Sequence, residues 1–417
     1  MIYLLMKKNI AALFVLANFI ACKTASVQKQ PAGNILEILL KNNPAYFEKI
    51  LATKDSFQLQ IIYTKIDRDK NNKPFFTDYN YNTNRSLYFY PASTVKMPVA
   101  LLALEKLNEL NVNGLDKFSI MDAGARASTD ETQLTPASIA EYIKQIFLVS
   151  DNNAFNSLYE FVGQQYIQEK LAAKGYKDVE IRHRLQLSLT EEQNRKTNGV
   201  RFYNKESDII YRQPEAYSKT TFKARTNLLG NGYFKNDSLV KEPYDFSKKN
   251  KVHLTDLHST MRSVIFPESI AENKRFNLTE SDYKFLYRYM SAYPSESKQP
   301  HYDTTIYYKN YSKFLLLGSE KSEPPSYIRI FNKEGDAYGF LTDVAYIVDF
   351  KNKVEFMLSA TILCNSDGIF NDDKYDYDDI GFPFFKNLGS VIYDYELQRK
   401  KKHLPDLSSF EIDYSKE

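Results

Sequence analysis

Strand patterns lie near both ends of the chain, and helical patterns fill the region between them. Residues 57–63 alternate apolar and polar as a strand does, and residues 75–81 suit the return strand of a hairpin. Further strand patterns cover residues 326–332, 340–350 and 353–364, and a final helical pattern covers 384–400. This order predicts an α/β (α+β) fold, with a mostly antiparallel sheet built from both chain ends and flanked by a helical block.

The amino-acid composition favours a globular protein and gives no indication of nucleic-acid binding. Hydrophobic residues make up 43% of the 417 residues and charged residues 26%, which is typical of a globular protein with a substantial core. The net charge is +3, and no basic cluster is interleaved with aromatic residues. We therefore expect no nucleic-acid partner.

The N-terminus has the pattern of an export signal. Lys7 and Lys8 precede an apolar run over residues 10–20, and Ala21 and Cys22 follow it. This run resembles a bacterial lipobox, in which the cysteine is lipidated and becomes the first residue. The expectation is a signal peptide over residues 1–21, with a lipidated tether and an N-terminal helix over 22–55. The protein would then be exported to the cell envelope and anchored by lipid on the periplasmic side of a bacterial membrane. A plain secretory signal with a chance cysteine is the alternative.

Ser93 and Lys96 stand where a polar stretch becomes apolar. Residues three apart on a helix share a face, and a buried lysine with a lowered pKa can take a proton from serine. The simpler interpretation is a capping serine and a lysine that reaches solvent. The chain has five Ser-x-x-Lys matches, but only Lys96 is followed by a long, nearly uncharged run, which predicts a buried helix beginning at Ser93.

Three short motifs follow one another along the chain. They are Ser93-x-x-Lys96, Ser150-Asp151-Asn152 and Lys333-Glu334-Gly335. Ser-Asp-Asn occurs once, and only one of the 14 glycines has a lysine two residues before it. In motif order and in the secondary structure around each motif, residues 56–397 resemble the class A β-lactamase family of serine hydrolases. The resemblance implies a catalytic domain over about 56–400, and the polar, aromatic stretch 200–252 fits an insertion in it. Residues 401–417 are expected to form a polar tail.

The resemblance implies acyl transfer through a serine ester. Ser93 would be the nucleophile, and Lys96 would be its base or its electrostatic partner. The backbone N–H groups of Ser93 and of Asp336, the residue after the Lys-x-Gly triplet, would form the oxyanion hole. Ser150 would relay a proton to the leaving nitrogen.

The resemblance also implies the substrate-binding groups. Asn152 would hold the substrate amide, and Lys333 would supply positive charge opposite a carboxylate, with Gly335 completing its triplet. No cofactor is implied, and the five histidines form no zinc motif.

Two positions depart from the family pattern. Glu334 stands where the family has threonine or serine, and a glutamate would repel a substrate carboxylate. The family also places a glutamate after Ser-Asp-Asn to activate the deacylating water. Glu191 and Glu192 are the candidates, with Glu191 favoured, and an ordinary solvated glutamate pair is the alternative.

The leading prediction is a β-lactam-hydrolysing enzyme. The alternatives are a penicillin-binding-protein-like peptidase or esterase acting on peptidoglycan-like substrates without fast deacylation, and a non-catalytic envelope lipoprotein of the same fold.

Overall fold

The computed structural model describes residues 33–124 and 136–416. The predicted signal peptide and Cys22 lie outside these residues. Within them, no helix combines the length and the apolar character that crossing a membrane requires. The helices are α1 Ile35–Lys41, α2 Pro44–Ala52, α3 Lys96–Leu110, α4 Ile139–Val149, α5 Asn152–Val162, α6 Gln164–Ala173, α7 Glu191–Arg195, α8 Leu254–Ile265, α9 Glu280–Ser291 and α10 Phe382–Gln398.

The central sheet takes strands from both chain ends, as predicted. Its strands are β1 Gln60–Arg68, β2 Pro74–Tyr81, β13 Ile328–Ala337, β14 Phe340–Asp349 and β15 Val354–Leu363. Their order is β13-β14-β15-β1-β2, and each neighbouring pair is antiparallel. The predicted fold class is confirmed.

Helices cover both faces of this sheet because the side chains of its strands alternate in direction. Ile62 faces the layer that contains α3, α4, α5, α8 and α9, whereas its neighbours Ile61 and Tyr63 face α1, α2 and α10. The first layer is the predicted helical block. Buried residues of α3 lie at its centre, since the helix is apolar on nearly every side.

Seven short strands lie in the stretch 200–252 that fits an insertion. They are β6 Val200–Tyr203, β7 Ile209–Gln213, β8 Ala216–Tyr217, β9 Leu228–Leu229, β10 Gly232–Lys235, β11 Ser238–Val240 and β12 Tyr244–Asp245. Further short strands outside this stretch are β3 Ile120–Asp122, β4 Ala137–Ser138, β5 Lys196–Thr197 and β16 Ile369–Phe370. They form small sheets beside the central one, and β10 runs parallel to β16.

The C-terminal segment differs from the polar tail that was expected over 401–417. Leu407 and Phe410 are buried, and the Phe410 ring lies 5.5 Å from that of Phe331 and 5.1 Å from that of Tyr346. Two apolar side chains thus attach an otherwise polar segment to the core.

Candidate active site

Ser93 lies on a tight turn that is pressed against the central sheet. The turn is a 3₁₀ segment, Ala92–Val95, and α3 begins only at Lys96 rather than at Ser93. Ala92 has a φ of +44°, a left-handed conformation that a non-glycine residue adopts only when its surroundings impose it. A Cβ atom on Gly335 of β13 would lie 2.7 Å from the backbone nitrogen of Ser93. Glycine is therefore required at this point of the strand, and the close approach places the β13 backbone beside the nucleophile candidate.

Lys96 is completely buried and directed at Ser93. Its Nζ donates to Ser93 Oγ at 2.8 Å, to Ser150 Oγ at 3.2 Å and to the Ser150 carbonyl oxygen. Burial, together with the positive charge of Lys333, lowers the pKa of Lys96 well below its usual value. This lysine can therefore be a neutral amine at a pH where an exposed lysine is protonated. The alternative of a lysine that reaches solvent does not hold.

Ser150 connects the two lysines of the site. It ends α4 in a left-handed conformation, with a φ of +56°, and the next residue, Asp151, caps α5 by accepting from the backbone N–H of Ala154 at 2.7 Å. Lys333 Nζ on β13 donates to Ser150 Oγ at 2.9 Å. One hydroxyl thus lies between Lys96 and Lys333, which suits a group that passes a proton.

A cavity of about 430 Å³ opens over Ser93. Ser93, Asn152 and Asp336 all line it, so the structure brings these predicted residues together, with Gly335 directly behind the Ser93 turn. The other lining residues are Tyr90, Ala92, Leu185, Gln186, Ala337, Tyr338, Asn371, Asp373, Tyr375 and Tyr377.

Comparisons with known proteins bear on the fold that holds this site. Residues 46–230 match the sequence model of the beta-lactamase enzyme family. The TLA-3 extended-spectrum beta-lactamase is a structural neighbour at 15% identity, with a TM-score of 0.50, covering 88% of this chain and 100% of that one. The chain has a beta-lactamase-family fold.

Two further structural neighbours come from the same comparison. A class A beta-lactamase representative from Bacteroides cellulosilyticus is 13% identical, with a TM-score of 0.49, over 86% of this chain and 97% of that one. PBP-A is also 13% identical, with a TM-score of 0.47, over 88% of this chain and 97% of that one. No curated protein sequence matches significantly. At such identities the likeness shows the fold only, and the chemistry has to be inferred from the site.

The structure does not bring Glu191 or Glu192 to the cavity of Ser93. Both begin α7 and line a different cavity. The Glu191 carboxylate pairs with Lys248 at 3.0 Å, and Glu192 accepts from the Tyr217 hydroxyl at 2.8 Å. The spacing along the sequence pointed to these residues, but the loop before α7 directs them away from the ester position.

Gln186 occupies the wall that faces Asn152. Asn152 Nδ2 donates to Gln186 Oε1 at 2.7 Å, and both residues line the cavity. Asn156 holds the adjoining Leu185 backbone through two hydrogen bonds, at 2.9 Å and 3.0 Å. Gln186 itself has a φ of +59°. In this beta-lactamase-family fold, the side chain next to Asn152 is an amide, and an amide is not a base at neutral pH.

Glu334 pairs with its neighbour Lys333. The two form an ion pair of 2.7 Å, and Glu334 is only 3% exposed. The second oxygen, Oε2, has no hydrogen-bond partner among the described residues. The departure seen in the sequence is therefore a buried charge pair directly beside Ser150.

The aromatic side of the cavity was not predicted. Tyr90, Tyr338 and Tyr375 line it, and Phe246 from the predicted insertion packs behind Tyr338 with a ring separation of 5.4 Å. Tyr375 lies in the acidic run over residues 371–379, and the tyrosines between its aspartates are the feature of the sequence that marks this side.

Within the described parts of the chain, no cluster of three or more histidine, cysteine, aspartate or glutamate side chains could hold a metal ion.

Proposed function

We propose that this protein is a serine hydrolase that forms an acyl-enzyme at Ser93 and releases the acyl group slowly, as a penicillin-binding-protein-like peptidase or esterase would. The observation that carries this proposal is the buried Lys96 amine, 2.8 Å from Ser93 Oγ and with a lowered pKa. A serine with an adjacent base is the arrangement that nucleophilic catalysis requires.

In the acylation step, Lys96 takes the proton from Ser93 Oγ while that oxygen attacks the substrate carbonyl. The oxyanion accepts hydrogen bonds from the backbone N–H groups of Ser93 and Asp336, which lie where β13 meets the turn. Losing one such donor costs about 2.7–4 kcal/mol of transition-state stabilisation in serine hydrolases. Ser150, which is hydrogen-bonded to Lys96 and Lys333, passes a proton to the leaving nitrogen, and the amide of Asn152 holds the substrate.

Slow release follows from the side chain at Gln186. Water attacks an acyl-ester quickly when a positioned base accepts its proton, a contribution of about 10²–10⁴-fold. The position beside Asn152 holds an amide, and Glu191 lies on another cavity. We therefore expect the acyl-enzyme ester to be long-lived compared with the turnover time of an ordinary serine hydrolase.

Rapid β-lactam hydrolysis is the second candidate. The match of residues 46–230 to the beta-lactamase enzyme family supports it. It requires a deacylation base other than Gln186.

The cellular location is part of the proposal. We expect Cys22 to carry a lipid that holds the exported protein on a membrane, with the catalytic domain on the periplasmic side. A Cys22→Ser variant should then move from the membrane fraction to the soluble one. Continued membrane association of that variant contradicts the lipid anchor.

Intact-mass spectrometry with benzylpenicillin and with its methyl ester tests the acyl-enzyme. The expected result with at least one of them is a gain of one compound mass that peptide mapping places at Ser93 and that a Ser93→Ala variant lacks. A complete absence of adduct with both compounds, together with both unchanged in solution, contradicts the proposal and supports the non-catalytic alternative.

A further inference from the structure

The lysines around Ser150 have no hydrogen-bond donor left for a substrate anion. A lysine ammonium has three donors. Those of Lys333 go to Ser150 Oγ at 2.9 Å, to the Glu334 carbonyl oxygen at 2.9 Å and to Glu334 Oε1 at 2.7 Å. Lys96 Nζ lies within hydrogen-bond distance of Ser93 Oγ and of two oxygens of Ser150, and as a neutral amine it offers no positive charge to an anion.

A third buried lysine is occupied in the same way. Lys313 Nζ donates to the Met290 carbonyl at 2.8 Å, to the Ile330 carbonyl at 3.1 Å and to Asn332 Oδ1 at 2.7 Å. The hydrogen-bond donors of Lys333 and Lys313 are therefore already committed to the protein.

The remaining charge at the cavity is negative. Asp336 and Asp373 line it, and none of the described lining residues is a lysine or an arginine. Glu334 adds an acceptor-only carboxylate whose Oε2 has no partner among the described residues. A substrate carboxylate brought to Lys333 would have to displace Glu334 and would meet like charge around it.

We propose that Glu334 acts as a specificity-determining residue that excludes acyl donors carrying a carboxylate next to the scissile bond. The substrates that fit present a neutral or cationic group at that position. This inference rests on the proposed acyl-enzyme chemistry at Ser93.

The test compares benzylpenicillin with its methyl ester, which differs in having no carboxylate charge. Acylation rates of the full-length protein are measured by intact mass. The parent protein is expected to react at least about tenfold faster with the ester. Glu334→Thr supplies the hydroxyl that the family has, so the rate with the acid should rise at least about tenfold while the rate with the ester changes little.

Two variants keep the comparison interpretable. Glu334→Gln removes the charge but preserves the shape, and it should shift the preference in the same direction even if Glu334→Thr fails to fold. Glu268→Thr, at a glutamate whose side chain is 91% exposed, should retain the preference of the parent.

Equal acylation of the parent by acid and ester overturns the inference and leaves the acyl-enzyme proposal standing. An unchanged preference in a folded Glu334→Gln variant also overturns it. If neither compound adds mass to Ser93 in any variant, the proposed function itself fails, and this inference fails with it.

Discussion

The two walls of the cavity differ in how they are built. The acylation wall consists of Ser93, which lines the cavity, and of Lys96, Ser150 and Lys333 behind it, all on or beside regular elements. The opposite wall is formed by an irregular segment, in which Gln186 faces Asn152. Under the proposed mechanism, the first wall holds the groups that form the acyl-enzyme, whereas the second holds an amide where hydrolysis of the ester requires a base. We therefore propose that a single side chain separates the two half-reactions.

Removing the nucleophile should have the largest effect. In Ser93→Ala we expect acylation by penicillin to fall by at least about 10³-fold, because Ser150, the other serine beside Lys96, does not line the cavity. The melting temperature should change little, since the hydroxyl fills little of the core. Ser238→Ala is the matched control, because Ser238 is exposed on β11 and also precedes a lysine by three residues. Acylation that survives Ser93→Ala at the rate of the parent contradicts the assignment.

Lys96→Met should slow acylation by about 10²–10⁴-fold. In the parent, the rate should rise as pH increases through the lowered pKa of Lys96, because only the neutral amine accepts the serine proton. The variant should lose this pH dependence, which stopped-flow or quenched mass measurements can follow. Lys241→Met, at an exposed lysine, is the control.

The same substitution has a predictable effect on stability. Because the folded-state pKa of Lys96 lies below its unfolded value, the unfolded chain binds more protons between the two values. The free energy of unfolding of the parent should therefore rise with pH across that window. Towards lower pH it should fall, because protonation favours the unfolded chain, where the amine is exposed to water. The difference in melting temperature in favour of Lys96→Met should narrow as pH rises. A constant difference at all pH values would argue against a buried, weakly basic Lys96.

Gln186→Glu should place a base for hydrolysis of the acyl-enzyme ester on the second wall. We expect the acyl-enzyme lifetime to shorten by about tenfold or more, towards the 10²–10⁴-fold range of general bases. Acylation itself should change less, because the Lys96 side is untouched. Gln193→Glu adds the same charge on α7 without touching this cavity and should leave the lifetime unchanged. Equal lifetimes in the parent and in Gln186→Glu contradict the role given to this position.

The smallest effects are expected at the two glutamates that the sequence favoured. Glu191→Gln and Glu192→Gln should leave both half-reactions within about twofold of the parent, since their carboxylates meet Lys248 and Tyr217 in another cavity. A marked accumulation of acyl-enzyme in either variant would restore that residue as the deacylation base.

The sequence predicted what depends on periodicity and on motif order. The two-residue alternation of β1 and the apolar surface of α3 are properties of single segments, so the sheet and the buried helix could be read directly. Three motifs in the order of the family along the sequence predicted the site residues Ser93, Lys96, Ser150 and Lys333. Their convergence at hydrogen-bonding distance agrees with that expectation.

The sequence did not predict what depends on the path of irregular backbone. Gln186 reaches the cavity because its backbone is left-handed and because Asn156 is hydrogen-bonded to the Leu185 backbone. Neither feature can be predicted from residue spacing. Gln186 also carries an amide, whereas the family pattern has an acidic residue as the base. The C-terminal segment was assigned as a tail because Leu407 and Phe410 are too sparse to form a pattern.

The most direct measurement is the time course of release from an excess of a chromogenic cephalosporin whose carboxylate is esterified, since Glu334 is proposed to exclude the free acid. Because the groups for acylation are present and a base for deacylation is missing, we expect a burst of one equivalent of chromophore per protein. A slow steady state should follow, in which intact mass shows acylated Ser93. Fast, linear turnover without a burst and without accumulated adduct would contradict this account, and it would place an effective deacylation base in the cavity.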